Sequence, residues 1–179
     1  MMRVYIPATL AMLQQLVADG SMFPVSGTAF AVTPTLREAY AEGDDEELAE
    51  VALREAALGS LRLLAADSHD EDGSEDTAEN ADAALPPRRA VLVADVVEAK
   101  PRPDLDDAVV RVVLPVELGD LVAAYVDIEA AEPAVRAAMA VVDAADLGDE
   151  DAELVVGDAQ DHDLAWYATQ ELPFLLDLL

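Results

Sequence analysis

The sequence predicts an α+β domain with the element order of the ferredoxin-like plait, β-α-β-β-α-β, to which additional short helices and a disordered acidic insertion are attached. Three observations predict it. Runs rich in β-branched residues at 3–6, 90–97 and 108–114 read as strands. Stretches with apolar residues at helical spacing stand between and after them. An acidic tract at 67–86, with almost nothing to bury, splits the chain, so one domain is built from residues 1–66 and 87–179 and the tract is a linker inserted in a loop. An open α/β arrangement is the rival reading.

Taken in order, Arg3-Val4-Tyr5-Ile6 forms a short strand ended by Pro7. Thr9 caps a helix over Leu10, Leu13, Leu16 and Val17, and Gly20 ends it. Ser21 to Thr33 reads as a loop, with Pro24 and Gly27 among scattered apolar residues. Thr33-Pro34 begins a short helix reaching Gly43, with proline at the permitted first position. Asp44, Asp45, Glu46 and Glu47 then open a longer helix where its dipole favours acids, and its stripe of Leu48, Val51, Ala52, Leu58, Leu61 and Leu64 reaches about Ala65.

Beyond the linker, residues 90–97 and 108–114 form two strands around the turn Lys100-Pro101-Arg102-Pro103-Asp104, which predicts an antiparallel pair with a long connection. Leu118, Leu121, Val122 and Tyr125 begin helical spacing. Pro133 opens a helix carrying Val135, Met139 and Val142, closed by Gly148. Glu153 to Val156 reads as a short strand, Gly157 to Asp163 as a loop, and Leu164 to Ala168 as another strand. A terminal helix follows from Thr169, with Pro173 in its first turn.

Charge bounds the function. The chain has 38 Asp and Glu against 10 Lys and Arg, a net −28 on 179 residues. The 67–86 tract holds eight acids, less than a third of that excess, so the folded part is acidic as well. Such a surface repels phosphate backbones, which excludes direct nucleic-acid binding. Apolar residues make up 53% of the chain but aromatics only 4%, so the core is built of small aliphatic side chains. There is no cysteine, hence no disulfide, thiolate metal site or cysteine nucleophile, in keeping with a reducing cytosol. Pro7, Gln14 and Gln15 break up the N-terminal apolar runs, so neither a signal peptide nor a membrane span is expected, and the protein is read as cytoplasmic. The bases are nine arginines and the single Lys100, a bias that GC-rich codons explain; an acidic surface adapted to high salt is the other explanation.

No catalytic or cofactor motif appears. Phosphate-loop, dinucleotide, nucleophile-elbow and zinc-helix patterns are all missing, so no cofactor and no metal is assigned. His162 stands in Asp158-Ala159-Gln160-Asp161-His162-Asp163, where a divalent metal site competes with a solvated loop; the spacing of a calcium loop is absent. Trp166-Tyr167 is the one adjacent aromatic pair, able to anchor a partner or to plug the edge of the core. Candidate partner-binding residues are therefore Trp166, Tyr167, His162, Asp161 and Asp163. Arg88, Arg89 and Arg102 either pair with neighbouring acids or build a small anion pocket.

Three segments carry a family likeness: Met2-Arg3-Val4-Tyr5-Ile6-Pro7-Ala8-Thr9, Gly27-Thr28-Ala29-Phe30-Ala31-Val32-Thr33-Pro34, and Trp166-Tyr167-Ala168-Thr169-Gln170-Glu171-Leu172. Together they resemble an uncharacterised family of small conserved actinobacterial proteins. The resemblance implies a high-GC bacterial, cytoplasmic origin and no activity or site residue. The functional expectation is a non-catalytic interaction or regulatory protein that engages a basic protein surface, with nucleic-acid mimicry as its stronger form. The alternative is a small enzyme or ligand-binding domain whose pocket is assembled from separated residues, such as His162 with Arg88 or Arg102.

Overall fold

A computed structural model describes residues 1–40, 42–71 and 85–179. Its centre is β4 (Ala90–Val96), buried on both faces from Ala90 to Ala94 and therefore apolar over that stretch rather than alternating, with the partly exposed Asp95 near its end. On one side β4 pairs antiparallel with β1 (Met2–Ala8) from Met2↔Val96 to Ala8↔Ala90. On the other side it pairs antiparallel with β8 (Leu121–Val126). The remaining strands are β3 (Thr28–Phe30), β5 (Ala99–Pro101), β6 (Val109–Val112) and β9 (Ala165–Ala168), and the seven-stranded sheet runs β5-β6-β3-β1-β4-β8-β9. Every neighbouring pair is antiparallel. Two further short strands, β2 (Ser21–Met22) and β7 (Val116–Glu117), pair apart from it.

Helices cover both faces. Against the face of Val4, Ile6, Leu92 and Ala124 lie α1 (Leu10–Asp19) and α6 (Leu172–Asp177). Against the face of Tyr5, Phe30, Val91 and Val93 lie α2 (Pro34–Ala39) and the first half of α3 (Asp45–Glu71). The second half of α3 leaves the sheet and packs Leu61 and Ala65 against α4 (Glu132–Asp146) and α5 (Glu150–Gln160).

Local signals explain most boundaries. The Thr9 hydroxyl accepts the Met12 N–H, and Gly20 closes α1 at φ 83°, where a side chain would be strained. Thr33 caps α2 through the Leu36 N–H and also donates to the Asp107 carbonyl. Asp44 accepts from the Glu47 N–H at the start of α3. Small residues let α3 approach β1 closely: a Cβ on Gly59 would lie 2.8 Å from Pro7 Cγ. The adjacent Ser60 hydroxyl donates to the Ala8 carbonyl (2.7 Å) and accepts the Ala90 N–H (2.9 Å), joining α3 to β1 and β4 at one paired position.

The α+β class is as read from the sequence, but the strand order of the ferredoxin-like plait does not appear. Residues 90–97 and 108–114 are not neighbours: β4 lies between β1 and β8, while β6 pairs with β3 and β5. Two strands occupy the stretch read as the loop Ser21–Thr33. Leu121 to Tyr125 belong to β8, because pairing on both sides with β4 and β9 overrides their helical spacing. Glu153 to Val156 lie inside α5, where Asp149 accepts the Ala152 N–H and Ala152, Val156 and Ala159 are buried at helical intervals. The helix expected to end near Ala65 continues to Glu71. Of the acidic linker at 67–86, residues 67–71 are thus the end of α3, and 72–84 lie outside the described residues.

Candidate functional site

The sheet places two charged residues at one corner. Arg89 immediately precedes β4 and Asp127 immediately follows β8, so they extend the pairing Ala90↔Val126 by one step. The Asp127 N–H donates to the Arg89 carbonyl (3.0 Å) and the Arg89 N–H donates to Asp127 Oδ2 (2.8 Å). The guanidinium then closes on the same carboxylate, Nε to Oδ2 and Nη2 to Oδ1, both at 2.8 Å. Nη2 also donates to the His162 carbonyl (2.9 Å), pinning the turn between α5 and β9. The two side chains are 2% and 0% exposed, and such a pair holds only because its hydrogen bonds are met. Next to it, the half-buried Arg88 donates to Glu132 in the first turn of α4.

Arg89 forms the floor of a cleft of about 170 Å³. One wall is α3, with Glu50, Leu53, Arg54 and Ala57; the other is the α5–β9 turn, with Gln160, His162, Asp163 and Leu164. Cation, acids and apolar wall meet here, an arrangement suited to binding a small polar molecule.

Outward from the cleft, among the described residues β9 is the last strand of the sheet and pairs only with β8. Strand alternation sends its two aromatics to opposite faces. Tyr167 packs on the core under α1 and α6, whereas Trp166, opposite Tyr125, is 57% exposed. Asp158 is exposed on the last turn of α5, Asp161 caps its end and Asp163 follows, both exposed as well, and none forms an ion pair among the described residues.

A model of a family of unknown function, DUF6912, matches residues 2–176. The chain belongs to that family. No curated protein and no solved structure matches it.

In this DUF6912 member, four of the five candidate residues surround one turn and edge: Asp161, His162, Asp163 and Trp166. Tyr167 is turned inward. His162 does not meet Arg88 or Arg102. Arg88 is held by Glu132, and Arg102 is held by Asp104 next to β5, at the opposite edge of the sheet from β9. The charged residues that share the cleft with His162 are Arg89, which also donates to its carbonyl, Arg54, Glu50 and Asp163. Sequence reasoning named Arg89 only as a companion of Arg88, and passed over Arg54 and Glu50. Their spacing of four on an acidic helix puts them on one face, the available signal for a shared site.

Among the described residues, no three of His, Asp and Glu gather to hold a metal ion. No described helix is long and apolar enough to cross a membrane. Two described carboxyls are perturbed, in opposite directions: burial pushes Glu55 above the ordinary glutamate range, with nearby Asp106 adding to this and Arg62 opposing it, whereas the hydrogen bond from Arg102 holds Asp104 below the ordinary aspartate range.

Proposed function

We propose that this protein is a non-catalytic interaction or regulatory domain that captures an extended cationic segment of a protein partner along β9. The observation that carries this reading is Trp166, a large aromatic standing 57% exposed on an unpaired sheet edge beside the uncompensated Asp158, Asp161 and Asp163. An outer strand offers free backbone donors and acceptors for strand addition. An exposed tryptophan supplies the apolar anchor typical of binding hot spots. The net charge of −28 steers a cationic segment toward the surface and repels anionic competitors. The absence of cysteine and the GC-rich composition support action in the cytoplasm of an actinobacterium.

Trp166 is the only tryptophan, so its fluorescence reports on this edge alone. Titration with an extended Lys/Arg-rich peptide carrying interspersed apolar residues is expected to shift and saturate that emission. The affinity falls as salt rises. An emission spectrum unchanged by the peptide at low salt contradicts the proposal.

A further inference from the structure

We propose that the cleft between α3 and the α5–β9 turn binds a small zwitterion of amino-acid size, with its carboxylate on Arg89 and Arg54 and its ammonium on Glu50 and Asp163. This inference does not rest on partner capture along β9, although Asp163 borders both places.

Donor counting supplies the first argument. A guanidinium has five N–H donors. In Arg89 the Nε donor goes to Asp127, and the two on Nη2 go to Asp127 and the His162 carbonyl. Two donors remain, both on Nη1, and no described side chain or backbone group accepts from them. Among the described residues no buried side-chain nitrogen or oxygen lacks a partner. Nη1 is therefore the open edge of a side chain that is otherwise 98% covered, and the cleft is what it opens onto. Because Asp127 fixes the rest of the guanidinium, those two N–H groups are oriented before any ligand arrives.

The second argument is the charge around Nη1. Arg54 lines the same cleft from α3 and takes part in no ion pair among the described residues. Glu50, one helical turn earlier, and Asp163, across the cleft, likewise accept no described side-chain bond. Cationic donors and free carboxylates thus face a single small space, walled by Leu53, Ala57 and Leu164.

The third is the field of the whole molecule. At −28 the protein repels a free anion, and a simple cation would leave Arg54 and Nη1 unanswered. A zwitterion has no net charge to repel and satisfies both ends. At about 170 Å³ the cleft is smaller than the roughly 300–1,000 Å³ of sites for drug-sized ligands, which limits the ligand to a few heavy atoms.

The test is a titration of ¹⁵N-labelled protein with glycine, L-alanine, L-serine and L-valine, with acetate and methylammonium as half-ligands, all at constant ionic strength. At least one amino acid is expected to give saturable shifts at residues 53–57 and 160–164, binding about tenfold or more tighter than either half-ligand. Arg54→Gln and Glu50→Gln, both exposed on α3 and outside the hydrogen bonds of the Arg89–Asp127 pair, are each expected to weaken that amino acid by about tenfold with an unchanged melting temperature. Raising the salt leaves this affinity nearly constant, unlike that of a cationic peptide. The proposal is overturned by an absence of saturable shifts with all four amino acids, by acetate binding as tightly as the amino acid, or by both variants binding like the parent.

Discussion

At the β4–β8 corner, Arg89 and Asp127 are almost wholly buried and answer one another's hydrogen bonds. Along β9, a short way down the same turn, Trp166 stands in solvent beside acids that no described cation meets. The difference shows how an excess of acid is distributed. Among the described residues six of the nine arginines are held in ion pairs, two of them at this corner, so few remain to balance the surface. The scarce cations fasten elements together, and the unmatched acids face outward, where only a partner or solvent can answer them.

Breaking the corner gives the largest expected effect. Asp127→Ala leaves a buried guanidinium and a backbone N–H without their acceptor, and should cost about 3–5 kcal/mol in urea denaturation. A loss near zero would mean that the corner is open to water. Ser60→Ala tests the adjoining link between α3, β1 and β4. It strands a buried carbonyl and N–H, and about 2 kcal/mol should be lost by the same measurement. The surface pair Arg3–Asp95 is the contrast, with side chains 54% and 35% exposed. Arg3→Ala should change stability by less than about 1 kcal/mol, and less still in high salt. If it costs as much as Asp127→Ala, burial does not separate the two kinds of pair.

The smallest effect sharpens the point about where acids are tolerated. The folded state raises the Glu55 pKa chiefly through burial, so it binds a proton more tightly than the unfolded chain does. The stability this gives is present below the ordinary glutamate range and is lost as pH climbs through the raised value. At about pH 7 the ionised Glu55 therefore burdens the fold, and Glu55→Gln should melt slightly higher than the parent, the gain disappearing near about pH 4. Melting curves at the two pH values check this.

How far the sequence could be read depended on whether a signal was local. Thr9, Gly20, Thr33-Pro34 and Pro133 act within a turn or two of the chain, and the helix boundaries they mark are where the pattern puts them, although the helix from Pro34 ends at Ala39 instead of Gly43. Strand 90–97 was legible because its doubly buried stretch, Ala90 to Ala94, is continuously apolar. Pairing was not. Nothing in residues 121–125 states that they lie between β4 and β9, and their apolar spacing alone suits a helix. In 153–156 the reverse happened: a β-branched run was drawn into α5 by the Asp149 cap and by burial of Val156 against α3 and α4. The corner depends on register. Arg89 and Asp127 are 38 residues apart and become neighbours only when β4 and β8 align. Their positions, a cation just before one strand and an acid just after another, were the one visible trace.

On the reading proposed above, the acidic β9 edge holds a cationic protein segment with Trp166 as its anchor. Affinity capture from lysate, comparing the parent with Trp166→Ala at about 50 mM and about 500 mM salt, tests it most directly. A basic protein should be retained by the parent at low salt, released at high salt, and retained poorly by the variant at either. Equal retention by both proteins, or no basic protein held by the parent at low salt, would contradict it.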